Sequence, residues 1–189
     1  RARLGKKVVL ADDYEVLYQM SRVMSLCNGA SINQTSDGKW EKIGEATEAA
    51  LKVLVEKLGD WKMPQRSTDS LTPASDEFEE EYGKPLVTLE FSRDRKSMGV
   101  IIADPGSAGG KTPKKGSGAC SLLVKGAPES VLERCSHAMT ADGSVIKMDE
   151  AMRKQIIHKV ENDYNSDTRA LRCLAHAFKA GCADQFSRS

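Results

Sequence analysis

The sequence predicts an α/β domain of the α+β type, in which a mostly antiparallel sheet is flanked by helices. Residues 86–92 and 98–103 are rich in β-branched and apolar side chains and flank a short charged turn, which is typical of an antiparallel hairpin. Residues 12–27 and 45–58 repeat apolar side chains at helical spacing. Because both kinds of segment bury only one face, they are expected to pack on each other.

The first third of the chain is predicted to hold two helices separated by a loop. In the helix over 12–27, Asp12 and Asp13 are expected to cap the N-terminus, since short carboxylates accept hydrogen bonds from the first backbone amides. Residues 28–39 are polar and contain glycine, which predicts a loop. A helix over 45–58 follows, with one apolar stripe.

Two segments in the middle of the chain have the composition of surface excursions. Residues 64–76 are rich in Ser, Thr and Pro and then turn acidic, with a short helix predicted over 74–82. Residues 104–119 are rich in Gly, Ser, Lys and Pro, and we expect a long flexible loop.

The last third alternates strands and helices. A strand is predicted over 120–125 and a short helix from Pro128, since proline at the first helical position costs no hydrogen bond. A strand over 144–148, a helix over 149–164 and a strand over 171–178 follow.

The length and composition predict one globular domain over residues 1–189, with a core over about 12–180 and flexible loops over about 29–39, 59–85 and 104–119. The net charge of +1 gives no reason to expect a nucleic-acid partner. No apolar run reaches the ~20 residues of a spanning helix, so direct membrane insertion is not expected. Five cysteines without a CxxC spacing predict reduced thiols rather than a disulfide framework or a zinc site.

One glycine-rich stretch resembles a phosphate-binding loop but lacks its pattern. Gly110-Lys111-Thr112 follows a predicted strand, yet the pattern requires glycine where Pro105 stands. Pro113 and further lysines follow, so there is no helix whose N-terminal amides could hold a phosphate. We interpret this stretch as a solvated loop.

The histidines and serines do not form a recognisable catalytic or metal-binding motif. His137, His158 and His176 have no zinc-ligand spacing, and no GxSxG sequence is present. We therefore expect neither catalytic residues nor a metal site within this chain.

Four segments carry a resemblance to a known family. They are KIGEATEAAL at 42–51, LEFSRDRKSM at 89–98, VKGAPE at 124–129 and LRCLA at 171–175. Their order and approximate spacing resemble the nucleotide-binding domain of P-type ATPases, and the second segment is most similar to the sarco/endoplasmic-reticulum calcium-transporting ATPases. The similarity covers most of residues 12–180, while the loops depart in sequence and length.

The resemblance implies the nucleotide-binding domain fold and an ATP site for adenosine recognition. The implied ATP-binding residues are Thr47, Glu48, Phe91, Arg93, Lys96, Met98, Lys125, Gly126, Ala127, Arg172, Cys173 and Leu174.

The chemistry of these residue types fits a nucleotide. Phe91 can stack on a purine, although a buried strand phenylalanine is an equally common reading. Glu48 can accept a hydrogen bond from the adenine amino group, and Arg93 and Arg172 can contact phosphate oxygens. Lys125 ends an apolar strand beside Gly126, where a ligand can approach the backbone closely. The ordinary alternative for each charged residue is a solvated surface side chain.

The resemblance also implies how the chain contributes to catalysis. P-type pumps transfer the ATP γ-phosphoryl group to an aspartate in a DKTGT motif, which this sequence lacks. We therefore expect part of a calcium-transporting ATPase that positions ATP but does not hydrolyse it alone. Magnesium would accompany ATP in the intact pump, with its ligands mostly outside this chain.

The implied partners are ATP or ADP and the phosphorylation and actuator domains of the parent pump. The chain alone is expected to be monomeric, as a cytosolic domain of a protein in the endoplasmic or sarcoplasmic reticulum membrane.

Two other functions remain open from the sequence. A small kinase or other NTPase would need its own phosphate loop and magnesium carboxylates. A non-catalytic interaction module could keep the fold without binding nucleotide.

Overall fold

The computed structural model describes residues 2–4, 7–59, 70–105, 120–164 and 171–182. The strands are β1 Ala2–Leu4, β2 Lys7–Val9, β3 Ser31–Gln34, β4 Trp40–Ile43, β5 Val87–Ser92, β6 Ser97–Ala103, β7 Cys120–Gly126, β8 His137–Met139, β9 Val145–Lys147 and β10 Ala175–Ala180. The helices are α1 Glu15–Leu26, α2 Ala46–Leu58, α3 Pro73–Tyr82, α4 Pro128–Glu133 and α5 Glu150–Lys159. Strands and helices are thus both abundant, and the predicted fold class is confirmed.

A four-stranded antiparallel sheet organises the described part of the chain, with the strand order β10-β7-β6-β5. Every residue of β6 is buried, because this strand has a neighbour on each side and packing on its faces. In the register, Met98 of β6 lies opposite Lys125 of β7, and Lys125 lies opposite His176 of β10. This row of three residues runs along the end of the sheet at which the candidate site lies.

Helix α1 packs on one face of this sheet, α2 and α3 pack against α1, and together they close the main core. Val23 and Met24 of α1 and Val55 of α2 are at most 1% exposed, and they belong to the same cluster as Val100 and Leu123 of the central strands. Full burial of such side chains contributes about 1.5–3 kcal/mol each. The core therefore fixes the start of α2 relative to the ends of β6 and β7.

The polar segment predicted as a loop contains a strand, and this prediction was wrong. β3 pairs with β4 in an antiparallel hairpin, closed by a turn in which Thr35 N–H donates to Lys39 O at 2.9 Å and Gly38 adopts φ +79°. Nearly all side chains of this hairpin are exposed. Because neither face is buried, the segment lacks the apolar alternation by which a strand is recognised.

The first helix begins later than predicted and is not capped by an aspartate side chain. Residues Ala11–Asp13 form a 3-10 turn, and Tyr14 is the N-cap residue of α1 without a side-chain hydrogen bond. Asp13 Oδ2 instead accepts a hydrogen bond from Leu10 N–H at 3.0 Å. The carboxylate thus satisfies the preceding turn rather than the helix.

Most other predicted elements are confirmed, with shifted boundaries near the C-terminus. The predicted helix over 149–164 is α5 followed by a π-helical turn at Val160–Tyr164. The last strand begins at Ala175 rather than at 171, and residues 171–174 form an irregular lead-in to it. That lead-in contributes to the candidate site.

Parts of the predicted loops, 60–69 and 106–119, lie outside the described residues, as does the glycine–lysine–threonine stretch. Within the described ranges, no helix has both the length and the apolar character needed to cross a membrane.

Candidate nucleotide site

A cavity of about 600 Å³ lies where the start of α2, the β5–β6 turn, the end of β7 and the lead-in to β10 meet. Its lining residues are Glu45, Thr47, Glu48, Leu51, Phe91, Lys96, Met98, Lys125, Gly126, Ala127, Arg172, Cys173 and Leu174. Every implied ATP-binding residue except Arg93 is in this set. The sequence segments that carry the resemblance, far apart in the chain, therefore converge on one cavity of a size typical for small-molecule sites.

The floor of the cavity is a buried ion pair. Lys125 Nζ lies 2.5 Å from Glu48 Oε1, and the two side chains are 8% and 18% exposed. Lys125 extends from the end of β7, where the preceding strand residues are packed in the sheet, and Glu48 lies in the first turn of α2. In a site of low polarity, the opposite charge is what makes burial of either group tolerable.

The loop after α1 holds Glu48 from the other side. Gly29 N–H donates to Glu48 Oε2 at 3.0 Å, and the Asn28 side-chain amide donates to the Glu48 backbone carbonyl at 2.9 Å. Both carboxylate oxygens therefore already have a protein partner. Each oxygen has a second lone pair, so the carboxylate retains capacity to accept a hydrogen bond from a ligand.

Phe91 provides an exposed aromatic surface at the cavity. It lies on the edge strand β5 and is 62% exposed. The sequence left open whether this phenylalanine belongs to the core, and its exposure excludes that reading. An accessible aromatic ring beside a cavity can stack on a planar base.

The backbone beside Lys125 is packed against the β5–β6 turn. A Cβ atom on Gly126 would lie 2.5 Å from Lys96 O and 2.7 Å from Ser97 Cβ, so only glycine fits there. Ala127 N–H donates to Lys96 O at 2.9 Å. Gly126 thus allows the turn to dock on β7, which brings Lys96 to the cavity with its backbone at φ +47°.

Cations lie at the mouth of the cavity, where they are solvated. Lys96 Nζ lies 3.2 Å from Glu129 Oε1, and these side chains are 55% and 54% exposed. A hydrogen bond from a backbone amide at the start of α4 lowers the pKa of the Glu129 carboxyl, and the hydrogen bond and charge of Lys96 lower it further. Arg172 is exposed and lines the cavity, whereas Arg93 is exposed in the turn and does not line it.

The remaining wall is apolar. Met98 is 8% exposed, Cys173 and Leu174 are partly buried, and Leu51 completes the surface. Behind Met98, burial raises the pKa of the Cys27 thiol to about 11, which keeps this sulfur protonated at neutral pH.

Two lining residues were missed by the sequence analysis. Leu51 lies three residues after Glu48 in α2, on the same helix face, so helical spacing could have identified it. Glu45 is the N-cap residue of α2 and no sequence signal distinguished it from a solvated glutamate.

A second cavity, of about 480 Å³, lies between α1, α4, the β8–β9 hairpin and β10. Its lining includes Gln19, His137 and His176 but no Lys, Arg, Asp or Glu. It therefore offers no formal cation to a phosphate. Burial lowers the pKa of His176 to about 4, and the charge of Lys125 makes a smaller contribution in the same direction, so this imidazole is neutral at pH 7.

No group of three or more His, Cys, Asp or Glu side chains is arranged to hold a metal ion in the part of the chain that the structure describes.

Comparison with known proteins gives a consistent set of matches. Residues 16–188 match the family described as P-type ATPase, cytoplasmic domain N. A probable calcium-transporting ATPase of Trypanosoma brucei brucei is 38% identical over 173 residues, which cover 91% of this chain and 16% of that protein. The endoplasmic-reticulum-type calcium-transporting ATPase 2 of Arabidopsis thaliana is 38% identical over 175 residues, covering 86% of this chain and 15% of the relative. The chain thus spans less than a fifth of the length of these relatives.

Proposed function

The chain belongs to the family of P-type ATPase cytoplasmic domains N, and from that premise we propose that it binds ATP by its adenosine end. One arrangement supports this proposal above the others. An exposed aromatic ring, Phe91, and a buried ion pair, Lys125–Glu48, line the same largely apolar cavity. A purine needs a flat apolar contact together with a few fixed polar groups, and this cavity offers both.

We assign the following roles on the basis of chemistry and position. Phe91 stacks on the adenine ring, and the remaining acceptor capacity of Glu48 receives the adenine amino group. Lys125 closes the bottom of the adenosine pocket and holds the Glu48 side chain in place through their ion pair. Lys96 and Arg172, at the solvated mouth, attract the phosphates.

Arg93 has a different proposed role, because it lies outside the cavity. Its exposed position in the β5–β6 turn suits contact with the terminal phosphates, which extend beyond the adenosine pocket. We therefore expect Arg93 to matter for ATP more than for AMP.

The named relatives are calcium-transporting ATPases, which supports a role within such a pump. In this proposal the domain holds adenosine and presents the γ-phosphoryl group to an aspartate on a separate phosphorylation domain. The contribution is positioning and electrostatics, as in other phosphoryl transfers. Magnesium would travel with the ATP phosphates and neutralise part of their charge.

One of the named relatives, ATPase 2 of Arabidopsis thaliana, is of the endoplasmic-reticulum type. We therefore propose that the parent protein is a membrane pump of that compartment and that this domain lies on its cytosolic side, next to the phosphorylation and actuator domains.

A nucleotide titration of the isolated chain, followed by amide chemical shifts, tests this proposal. We expect one site with a dissociation constant in the high-micromolar to millimolar range, roughly −4 to −6 kcal/mol, because most phosphate ligands would lie on other domains. The shifted amides should cluster at residues 45–51, 91–98, 125–127 and 172–174. ADP and AMP should bind with similar affinity.

Three outcomes would contradict the proposal. Absence of nucleotide-dependent shifts would favour an interaction module that keeps the fold without ligand. A preference for ATP over ADP above about a hundredfold, ~2.7 kcal/mol, would mean that the chain carries its own phosphate site. ATP hydrolysis by the pure chain, abolished by a substitution within it, would favour an independent NTPase.

A further inference from the structure

Two cysteine sulfurs lie in contact at the end of the sheet remote from the candidate site. Cys120 Sγ and Cys182 Sγ are 3.5 Å apart, and the two residues are 4% and 0% exposed. All five cysteines of the chain are free thiols, and the sulfurs of Cys120 and Cys182 are in contact. The sequence interval between the two is 62 residues, so the contact is created by the fold.

The local backbone explains why the two side chains meet. β10 pairs with β7 up to Ala180 opposite Ser121, and continued pairing would bring Gly181 opposite Cys120. Gly181 instead adopts φ +67°, and Cys182 N–H donates to Cys120 O at 3.1 Å. An extra residue with positive φ next to a paired residue is the geometry of a glycine bulge, which re-aims the following side chain. Cys182 is thereby directed to the sulfur of Cys120.

We propose that Cys120 and Cys182 are a redox-active pair that forms a disulfide by exchange with a small disulfide such as glutathione disulfide. The sulfurs need to approach by about 1.5 Å to reach the ~2.05 Å bond length. Because the Cys182–Cys120 backbone hydrogen bond already joins the two chain segments, side-chain movement is the main requirement. The product covalently joins the end of β10 to the start of β7.

The exchange balances as two successive displacements. The thiolate of one cysteine attacks a sulfur of glutathione disulfide, forming a mixed disulfide and releasing one glutathione thiolate. The thiolate of the second cysteine then attacks the protein sulfur of that mixed disulfide and releases the second glutathione thiolate. The two protons of the protein thiols end on the two glutathiones, so one disulfide is reduced as the other forms.

The environment of the two thiols predicts that the disulfide between them forms slowly. Burial raises the pKa of Cys182 to about 12, with a smaller contribution from the hydrogen bond with Cys120, so little thiolate is present at pH 7. Both sulfurs also lie beneath the surface, so a tripeptide disulfide reaches them when the end of β10 opens. Equilibration should therefore take much longer than for exposed cysteines, and it should accelerate at alkaline pH.

The alternative reading is that two thiols pack as small apolar groups, together with Ile101. In that case their contact has no redox consequence. The two readings differ in whether a defined intramolecular cross-link forms in the folded protein.

The test is equilibration of the intact chain in glutathione redox buffers at pH 8, followed by alkylation of the remaining thiols and mass spectrometry. Tryptic cleavage after Lys115, Lys125, Lys179 and Arg188 places the two cysteines in peptides 116–125 and 180–188. We expect these two peptides to be joined in the oxidised protein, with a mass two hydrogens below that of the dithiol form. Reduction should separate them.

The Cys182→Ala variant should lose the cross-link, whereas the matched double variant Cys135→Ala/Cys173→Ala should keep it. The cross-linked protein should also melt roughly 5–10 °C higher than the reduced protein, because the bond constrains a long loop of the unfolded chain.

The proposal is overturned if Cys120 and Cys182 acquire glutathione adducts without joining, if they stay reduced at every buffer composition, or if the join appears only in denaturant. None of these measurements involves nucleotide, so failure here and failure of the proposed ATP site are distinguishable.

Discussion

Two lysine–carboxylate pairs lie at the candidate site, one at its floor and one at its mouth, and they differ in distance, burial and further contacts. At the floor, Lys125 Nζ lies 2.5 Å from Glu48 Oε1, and the two side chains are 8% and 18% exposed. At the mouth, Lys96 Nζ lies 3.2 Å from Glu129 Oε1, and both side chains are more than half exposed. The floor pair is further held by Gly29 N–H, whereas the mouth pair joins two solvated side chains.

The difference indicates which part of the site exists before the ligand arrives. Removing one partner of a buried pair leaves an uncompensated charge, which typically costs 3–5 kcal/mol. An exposed pair contributes about 0–1 kcal/mol and is screened by salt. The floor is therefore a fixed part of the fold, whereas Lys96 at the mouth can exchange its carboxylate partner for a phosphate at little cost.

The largest effect is expected from breaking the floor pair. Lys125→Met should lower the free energy of unfolding by about 3–5 kcal/mol, since Glu48 is then buried without its counter-charge. Urea denaturation measures the loss, and a nucleotide titration at low temperature measures the accompanying loss of binding.

The matched control is the double variant Lys125→Met/Glu48→Gln. It should recover a large part of the stability, because no buried charge remains, but it should not recover nucleotide binding. A single variant that loses less than about 1 kcal/mol would mean that the floor pair is as weakly coupled as an exposed pair.

Burial also decides which elements of the fold could be predicted from the sequence. The apolar strands β6 and β7 and the helices α1 and α2 were predictable, because burial of one face leaves a periodic apolar pattern and burial of both faces leaves a continuous apolar run. The hairpin β3–β4 was not, because both of its faces are solvated. The side chain of Asp13 satisfies a preceding turn, and no local signal separates that role from helix capping.

Eleven of the twelve site residues predicted from the sequence line one cavity, and their binding of nucleotide stays a prediction, whereas the geometry of the cavity was not predictable. Resemblance to a family selected the segments, but the pairing of Lys125 with Glu48 spans 77 residues and depends on where the packing of α2 against α1 places the start of α2. The residue spacing in the turn 93–96 does not indicate which side chain reaches the cavity. The structure brings Lys96 there and leaves Arg93 outside.

The second-largest effect is expected at Phe91, where binding and stability should separate. Phe91→Ser should weaken ATP binding about tenfold to a hundredfold, because base stacking on an aromatic ring is worth roughly 1–3 kcal/mol. Its 62% exposure means that the melting temperature should change little. Titration and thermal melting on the same samples measure both quantities.

Trp40→Ser is the matched control, since Trp40 is 65% exposed and does not line the cavity. It should leave ATP affinity unchanged. If Phe91→Ser unfolds the domain, or if both variants weaken ATP equally, the stacking role is wrong.

The third effect is the pH dependence of stability that His176, opposite Lys125 in β10, should produce. Burial lowers the pKa of His176 to about 4, against an ordinary value of 6.5. Between these values the unfolded chain binds a proton that the folded chain does not, so stability rises with pH and is lost on acidification. Between pH 7 and pH 5 this group should remove about 2 kcal/mol of unfolding free energy.

Denaturation at both pH values, compared with His176→Gln, isolates this contribution, since the variant lacks the titrating group. His137→Gln, at an exposed position, should retain the full pH dependence of the unmodified chain. Equal pH dependence in the unmodified chain and in His176→Gln would show that the imidazole is not held in a desolvated position beside the floor pair.

The smallest effect is expected at the mouth, and it has the opposite sign. In the proposed site Glu129 competes with the phosphates for Lys96, because the Lys96 and Glu129 side chains form an ion pair. Glu129→Gln should therefore strengthen ATP binding by no more than about fivefold, consistent with the 0–1 kcal/mol value of an exposed pair. The gain should shrink as salt is raised from about 0.05 M to 0.5 M, since exposed charges are screened. Adenosine carries no phosphate, so its affinity should be equal for the unmodified chain and the variant. A similar gain for adenosine, or a gain that persists in high salt, would show that Glu129 acts on the shape of the cavity rather than on the charge at its mouth.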